Sequence, residues 1–209
     1  MLRGQSSTEA GLRLTPFAVG ISLGSLSTGI IINKSGRYYL MGMLCMGTFV
    51  AGILSICTFS LTTPVFPQFF NFFVFGIGYG GTLTVTLLAL VAAVDRKDQA
   101  VATSASYAFR STGSTIGAAV GSAIFQNVLA RQLRAHLGDS DEAAEVIRKV
   151  RERFDEFAGL PERWKGLVAL AYMDALHAVF WSALALGVAA MICCAFLREN
   201  VLHRTLDRK

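Results

Sequence analysis

The chain has 209 residues, 53% of them hydrophobic and 16% charged, and a mean hydropathy of +0.51. Ordinary soluble domains carry about a quarter charged residues, so this balance excludes a water-soluble enzyme. The net charge of +5 does not make a nucleic-acid surface, because the basic residues sit at the ends of apolar runs or beside acids and form no one-sided stripe. Charge is also segregated: 16 of the 33 charged residues fall between Arg131 and Lys165. Cys45, Cys57, Cys193 and Cys194 all lie in apolar segments, where a thiol behaves as a small hydrophobe and implies no disulfide or metal framework. Met1 to Ala10 is polar with no small-residue cleavage site after it, so the first hydrophobic segment is expected to serve as the membrane signal.

In chain order, residues 1–13 are a polar lead-in. Leu14 to Asn33 has no charge and carries Pro16 near its start, which predicts a first span over 14–33, since about 20 apolar residues cross about 30 Å of hydrocarbon. From Tyr38 to Val94 there are 57 residues without Asp, Glu, Lys or Arg, about 86 Å of helix and far too long for one crossing. Pro64 and Pro67 supply the break, giving spans at 38–61 and 68–94. Asp95-Arg96-Lys97-Asp98 reads as a short wet loop.

A fourth span is expected over 99–130, interrupted only by Arg110. Residues 131–166 then form an outer loop. Asp139 with Glu142 makes a capping-box pattern, and Val146, Ile147, Val150, Phe154 and Phe157 recur at helical spacing among charges. This predicts an amphipathic helix outside the bilayer core, stopped by Gly159 and Pro161, with Trp164 as an interfacial aromatic. A fifth span, 167–197, carries Asp174 and His177, and 198–209 is a tail. The predicted fold class is an all-α membrane protein of five transmembrane helices plus one amphipathic helix.

An odd number of spans puts the termini on opposite sides. Counting all loop Lys and Arg gives eight inside against ten outside for a cytoplasmic C-terminus, which decides nothing. Setting aside 131–165 as a folded unit with eight acids of its own leaves eight against two and favours a cytoplasmic tail.

Lipid gives no hydrophobic drive for helix association, so close packing depends on small residues four apart. Gly20 and Gly24 in span one, Gly76 and Gly80 in span three, and Gly113, Gly117 and Gly121 in span four fit that need. Static packing accounts for any one of them; their density suits helices that slide and bend. Arg110 sits by helix arithmetic about 8 Å below the cytoplasmic boundary. There it can hold a gate, serve a structural role or face a substrate path. Asp174 and His177, one turn apart, can form an interfacial hydrogen-bonded pair. No paired-His motif or nucleophile elbow is present, and the glycines of 75–81 follow no strand, so they make no phosphate loop. No catalytic residue, cofactor site or metal site is assigned.

Gly29-Ile30-Ile31-Ile32-Asn33-Lys34-Ser35-Gly36-Arg37 resembles the cytoplasmic-loop signature of the major facilitator superfamily, G-x-x-x-D-x-x-G-R, with Asn33 in place of the usual acid. Ala10-Gly11-Leu12-Arg13-Leu14-Thr15-Pro16, and the run from Ala105 to Gly117 around Arg110, are similar to the fourteen-span drug:proton antiporters of fungi. That group includes the vacuolar basic amino acid transporters and multidrug transporters. The resemblance covers essentially the whole chain and agrees with a cytoplasmic placement of the 29–37 loop. It implies a proton-coupled exporter of small cationic molecules, or a vacuolar importer of basic amino acids, working by alternating access. It also implies that this chain is a C-terminal portion whose N-terminal helical bundle, with the proton-coupling acids, is missing. The expected partners are the lipid bilayer and, in a full-length relative, a small-molecule substrate and protons; the expected location is the plasma or vacuolar membrane.

Two other readings stand beside this one. A truncated, non-transporting membrane protein or interaction partner would have the same spans. An intramembrane enzyme would have to use Asp174 and His177.

Overall fold

The first long helix, α1 (Thr15–Ser35), follows Leu14 and takes Pro16 into its first turn, where a missing N–H costs nothing because no intrahelical carbonyl is available to it. It stops at Gly36, whose backbone turns left-handed (φ +70°) and returns its N–H to the carbonyl of Ile32 at 2.8 Å. A side chain at that φ would crowd the following carbonyl, which is why glycine ends the helix. After this short link, α2 spans Tyr39–Cys57.

In this computed structural model residues 11, 12, 14–59, 64–137 and 162–197 are described. The amphipathic helix expected between Asp139 and Phe157 and the tail at 198–209 lie outside them. The third helix, α3 (Val65–Ala93), is capped by Pro64 and begins three residues before Gln68, the expected start of the span. Pro67 is absorbed in the first turn, again where helix N–H groups have no partner. An extended Val94 and a single 3₁₀ turn at Arg96–Asp98 lead into α4 (Gln99–Leu137). Gln99 Nε2 donates back to the carbonyl of Val91 at 3.4 Å, taking up one of the carbonyls left over at the end of α3. The last helix described, α5, runs Glu162–Ala195. Every regular element among the described residues is a helix.

Four of these helices are long and apolar enough to cross a membrane: α1, α2, α3 from Phe66 and α5 from Gly166. The fifth expected span does not meet that standard. At 39 residues α4 is long enough, but its middle is rich in Ser, Thr, Gly and Ala, and it falls short on apolarity.

The hub is α3, which packs along α1 on one flank and α2 on another; α5 packs on α2 and α4, and α4 barely meets α3. Two small cores mark the ends of this arrangement. Ile32, Tyr38, Val85 and Ala89 are buried where α1, α2 and α3 meet, with Leu197 packed against them. Leu129 and Leu133 of α4 are buried against Val168, Ala171, Tyr172 and Ala175 of α5, with Trp164 alongside. Leu23, Leu26, Leu44, Leu54, Leu186 and Ile192 instead turn outward, as lipid-facing side chains do.

Candidate functional site

Among the described residues, the tightest contacts at glycines include a seam between α1 and α3. A methyl group at Gly24 would sit 2.7 Å from the Cα of Ile77, and one at Gly20 3.1 Å from the Cα of Gly76. Gly76 and Gly80 reciprocate, meeting the backbone of Phe17, Gly20 and Ile21. Only glycine allows backbones this near each other. Just beyond the seam Ser25 Oγ and Thr84 Oγ1 bond at 2.8 Å, and Thr28 Oγ1 and Cys45 Sγ meet at 3.5 Å, filling the notch left by Gly81. Gly78 and Gly52 do the same work between α3 and α2. Drawn in by these contacts, Phe17 of α1 and Phe49 of α2 each stack on Phe75 of α3 with centroids 5.1 Å apart, beside Tyr79.

The seam thus brings Gly20, Gly24, Gly76 and Gly80 together. Gly113 and Gly117 of α4 meet nothing within 4 Å among the described residues, and Gly121 only touches Val179 of α5, at 3.9 Å. The whole stretch from Ser111 to Val120 is exposed all round.

Arg110 is a second polar link between α4 and α3, beside Gln99 on Val91. Its Nη2 donates to the carbonyl of Leu83 at 3.0 Å and to Thr86 Oγ1 at 2.8 Å, and the ring of its neighbour Tyr107 lies 5.8 Å from Cζ. Thr86 Oγ1 in turn lies 2.8 Å from the carbonyl of Thr82. Thr82 and Thr86 also line a shallow pocket with Tyr38, Tyr39, Val85 and Cys194. Tyr39 closes its rim, donating its hydroxyl to the carbonyl of Ala195 at 3.3 Å. Arg110 was visible in the sequence as a charge in an apolar run. Its acceptors were not, although threonines at 82 and 86, one turn apart, are the kind of signal that points to them.

The 29–37 motif occupies the end of α1. Gly29 faces the methyl of Thr84 at 4.0 Å, Asn33 and Lys34 lie exposed on the last turn, and Gly36 makes the left-handed stop. The backbone N–H of Arg37 donates to Ser35 Oγ at 3.3 Å, and the Arg37 side chain is exposed. At the opposite end of the bundle His177 Nε2 stands 2.8 Å from the carbonyl of Phe59, just past the last turn of α2. That carbonyl lies two residues beyond the helix, so the imidazole ties the segment that follows α2 to α5. Asp174 lies exposed one turn earlier on α5. Among the described residues no group of three or more His, Cys, Asp or Glu could hold a metal ion.

A chain of apolar helices joined through glycines and carrying this loop motif is the build of a membrane transporter, and the comparisons agree. Residues 3–132 match the model of the Major Facilitator Superfamily, and the chain belongs to that family as an integral membrane protein. It is 32% identical over 205 residues to "Multidrug resistance protein fnx1" of Schizosaccharomyces pombe, covering 97% of this chain and 39% of that protein. It is 30% identical to "Vacuolar membrane amino acid uptake transporter fnx2" of the same yeast, covering 96% of this chain and 34% of the relative. With "Vacuolar basic amino acid transporter 2" of Saccharomyces cerevisiae it shares 27% identity over 95% of this chain and 42% of the relative. The chain therefore spans between about a third and two-fifths of the length of these curated relatives. No solved structure matches.

Proposed function

We propose that the chain forms five spans of the second helical bundle of a proton-coupled exporter that works by alternating access, with α4 as the fifth crossing. Its cargo in this reading is a small cationic or amphipathic molecule or a basic amino acid, in keeping with the multidrug resistance and the vacuolar amino acid transport named for the relatives, and its membrane the plasma or the vacuolar one. The observation that carries the reading is the contrast between two joints. Glycines fuse α1 to α3 along their backbones, whereas α4 meets α3 at few places, tied there by the side chains of Arg110 on Leu83 and Thr86 and of Gln99 on Val91. A backbone seam moves as a unit; a side-chain tether can be made and broken. Lys34 and Arg37 then tie down the ends of α1 and α2 near the cytoplasmic surface, and Arg110 holds the cytoplasmic gate. The small faces of α1, α3 and α4 accommodate the rocking.

A membrane helix whose mid-section is polar and small is best placed beside a water-filled path, since lipid would leave its hydroxyls without partners. Flux of a panel of organic cations and basic amino acids into proteoliposomes, driven by a proton gradient and using the complete gene product, tests the proposal. Arg110→Glu is expected to lower flux at least about tenfold while membrane insertion is retained, a change of the size that loss of a charged hydrogen bond brings. Unchanged flux removes Arg110 from the mechanism, and a wild type that moves nothing on the panel overturns the reading itself.

A further inference from the structure

Arg110 has more donor capacity than its neighbours use. A guanidinium offers five N–H donors in a rigid fork that matches a carboxylate edge to edge. Here Nη2 alone is engaged, by the Leu83 carbonyl and Thr86 Oγ1, both neutral acceptors. Among the described residues Nε and Nη1 donate to nothing and no carboxylate pairs with the side chain.

Its level makes this costly. Thr86 and Leu83 lie seven and ten residues before the end of α3 at Ala93, about 10 and 15 Å of helix. A helix of about 43 Å centred on about 30 Å of hydrocarbon therefore sets the guanidinium roughly 4 to 8 Å inside the apolar layer. The two bonds to α3 hold the half-buried side chain there. A cation held at that depth calls for an anion. Asp174, the acid within the described apolar spans, is no candidate. It lies one turn from His177, which meets the carbonyl of Phe59 just beyond the far end of α2.

We propose that the open Nε–Nη1 edge of Arg110 receives a carboxylate. Its source is either a carboxylated substrate or an Asp or Glu side chain outside the described residues. The substrate source rests on the transport reading above; the side-chain source does not.

Thermal unfolding of the complete gene product in detergent separates the two without depending on flux. The probes are arginine and agmatine, which is arginine without its carboxylate, and the variants are Arg110→Gln and Arg110→Lys. Glutamine is two bonds shorter than arginine and loses the tether and the fork together, whereas lysine keeps a charged donor of nearly the same reach and loses only the fork. If the substrate supplies the carboxylate, arginine stabilises the wild type with at least about tenfold higher affinity than agmatine, and Arg110→Gln erases that preference. If a side chain supplies it, the probes are not distinguished and the pH profile answers instead. Arg110 holds a paired carboxylate's pKa down. The pair's stabilisation is then present above the unfolded value of about 4 and lost as pH falls through the lower folded one. Arg110→Gln flattens that acid limb, and Arg110→Lys, which keeps the charge, retains it in part. Equal affinity for the two probes together with an unchanged acid limb in both variants overturns the proposal.

Discussion

Two glycines four residues into comparable patterns have opposite surroundings. At Gly24 the Cβ of an alanine would lie 2.7 and 2.9 Å from the Cα and carbonyl carbon of Ile77. Those atoms are backbone and cannot rotate away. Gly24→Ala is therefore expected to lower stability by about 1–3 kcal/mol, the usual cost of overpacking, read as a fall in the melting temperature of the detergent-solubilised protein. Gly117→Ala meets open space and is expected to cost nothing measurable in the same assay, because alanine is the better helix former. Equal effects at the two sites would mean that the α1–α3 seam is not the contact that matters. Spacing alone could not tell these glycines apart. It marks a face where close packing is possible, and the partner that uses the face is set by which other helix brings a complementary one.

At the scale of the helix, the ends are where reading from sequence ran out. The prolines near 64–67 located the break between α2 and α3, but Pro67 could join the first turn of α3 because that turn has no N–H bonds to lose. Likewise, Asp174 stood out as the obvious neighbour for His177. The structure places His177 on the carbonyl of Phe59, a backbone acceptor with no signature in the residue type. His177→Ala is expected to leave that carbonyl unpaired and to destabilise by about 1 kcal/mol. Amide exchange should quicken at the end of α2, next to the segment this bond ties to α5; exchange that stays at wild-type rates would show that the imidazole does not secure it.

The sequence predicts the fourth helix as a span; the helix is there, but it falls short of the apolarity of a crossing, since long uncharged runs and high hydropathy are different properties and α4 has only the first. If it lines water, Ser114→Cys in a background lacking the four native cysteines will react with a polar maleimide, while Val85→Cys, at a site only 2% exposed, will not. A Ser114→Cys variant that resists the reagent would place α4 in lipid or against protein.

For the whole molecule the antiparallel order of the helices sets the ends apart. The links at Gly36–Tyr38 and Val94–Asp98 and the stop after Ala195 share one end, as the Tyr39–Ala195 bond requires. Pro64 and the Phe59–His177 contact share the other. Impermeant thiol reagents are thus expected to reach Lys97→Cys and Phe196→Cys from one side of a sealed vesicle and Pro64→Cys from the other. Labelling of all three from the same side would undo the arrangement.

The seam also bears on how the protein can be made. Synthesis is vectorial, yet α1 must close on α3, with all of α2 in between. Of the four apolar helices α1 is the least hydrophobic, with a mean hydropathy of 1.5 against 1.8 to 2.2 for the others, and its Ser25 and Thr28 have no distant partners until α2 and α3 arrive. Because α1 leaves the ribosome before α2 and α3, it has to be kept waiting near the translocon with bare glycines and hydroxyls. That interval makes it the stretch on which an insertion chaperone or a quality-control protease would act.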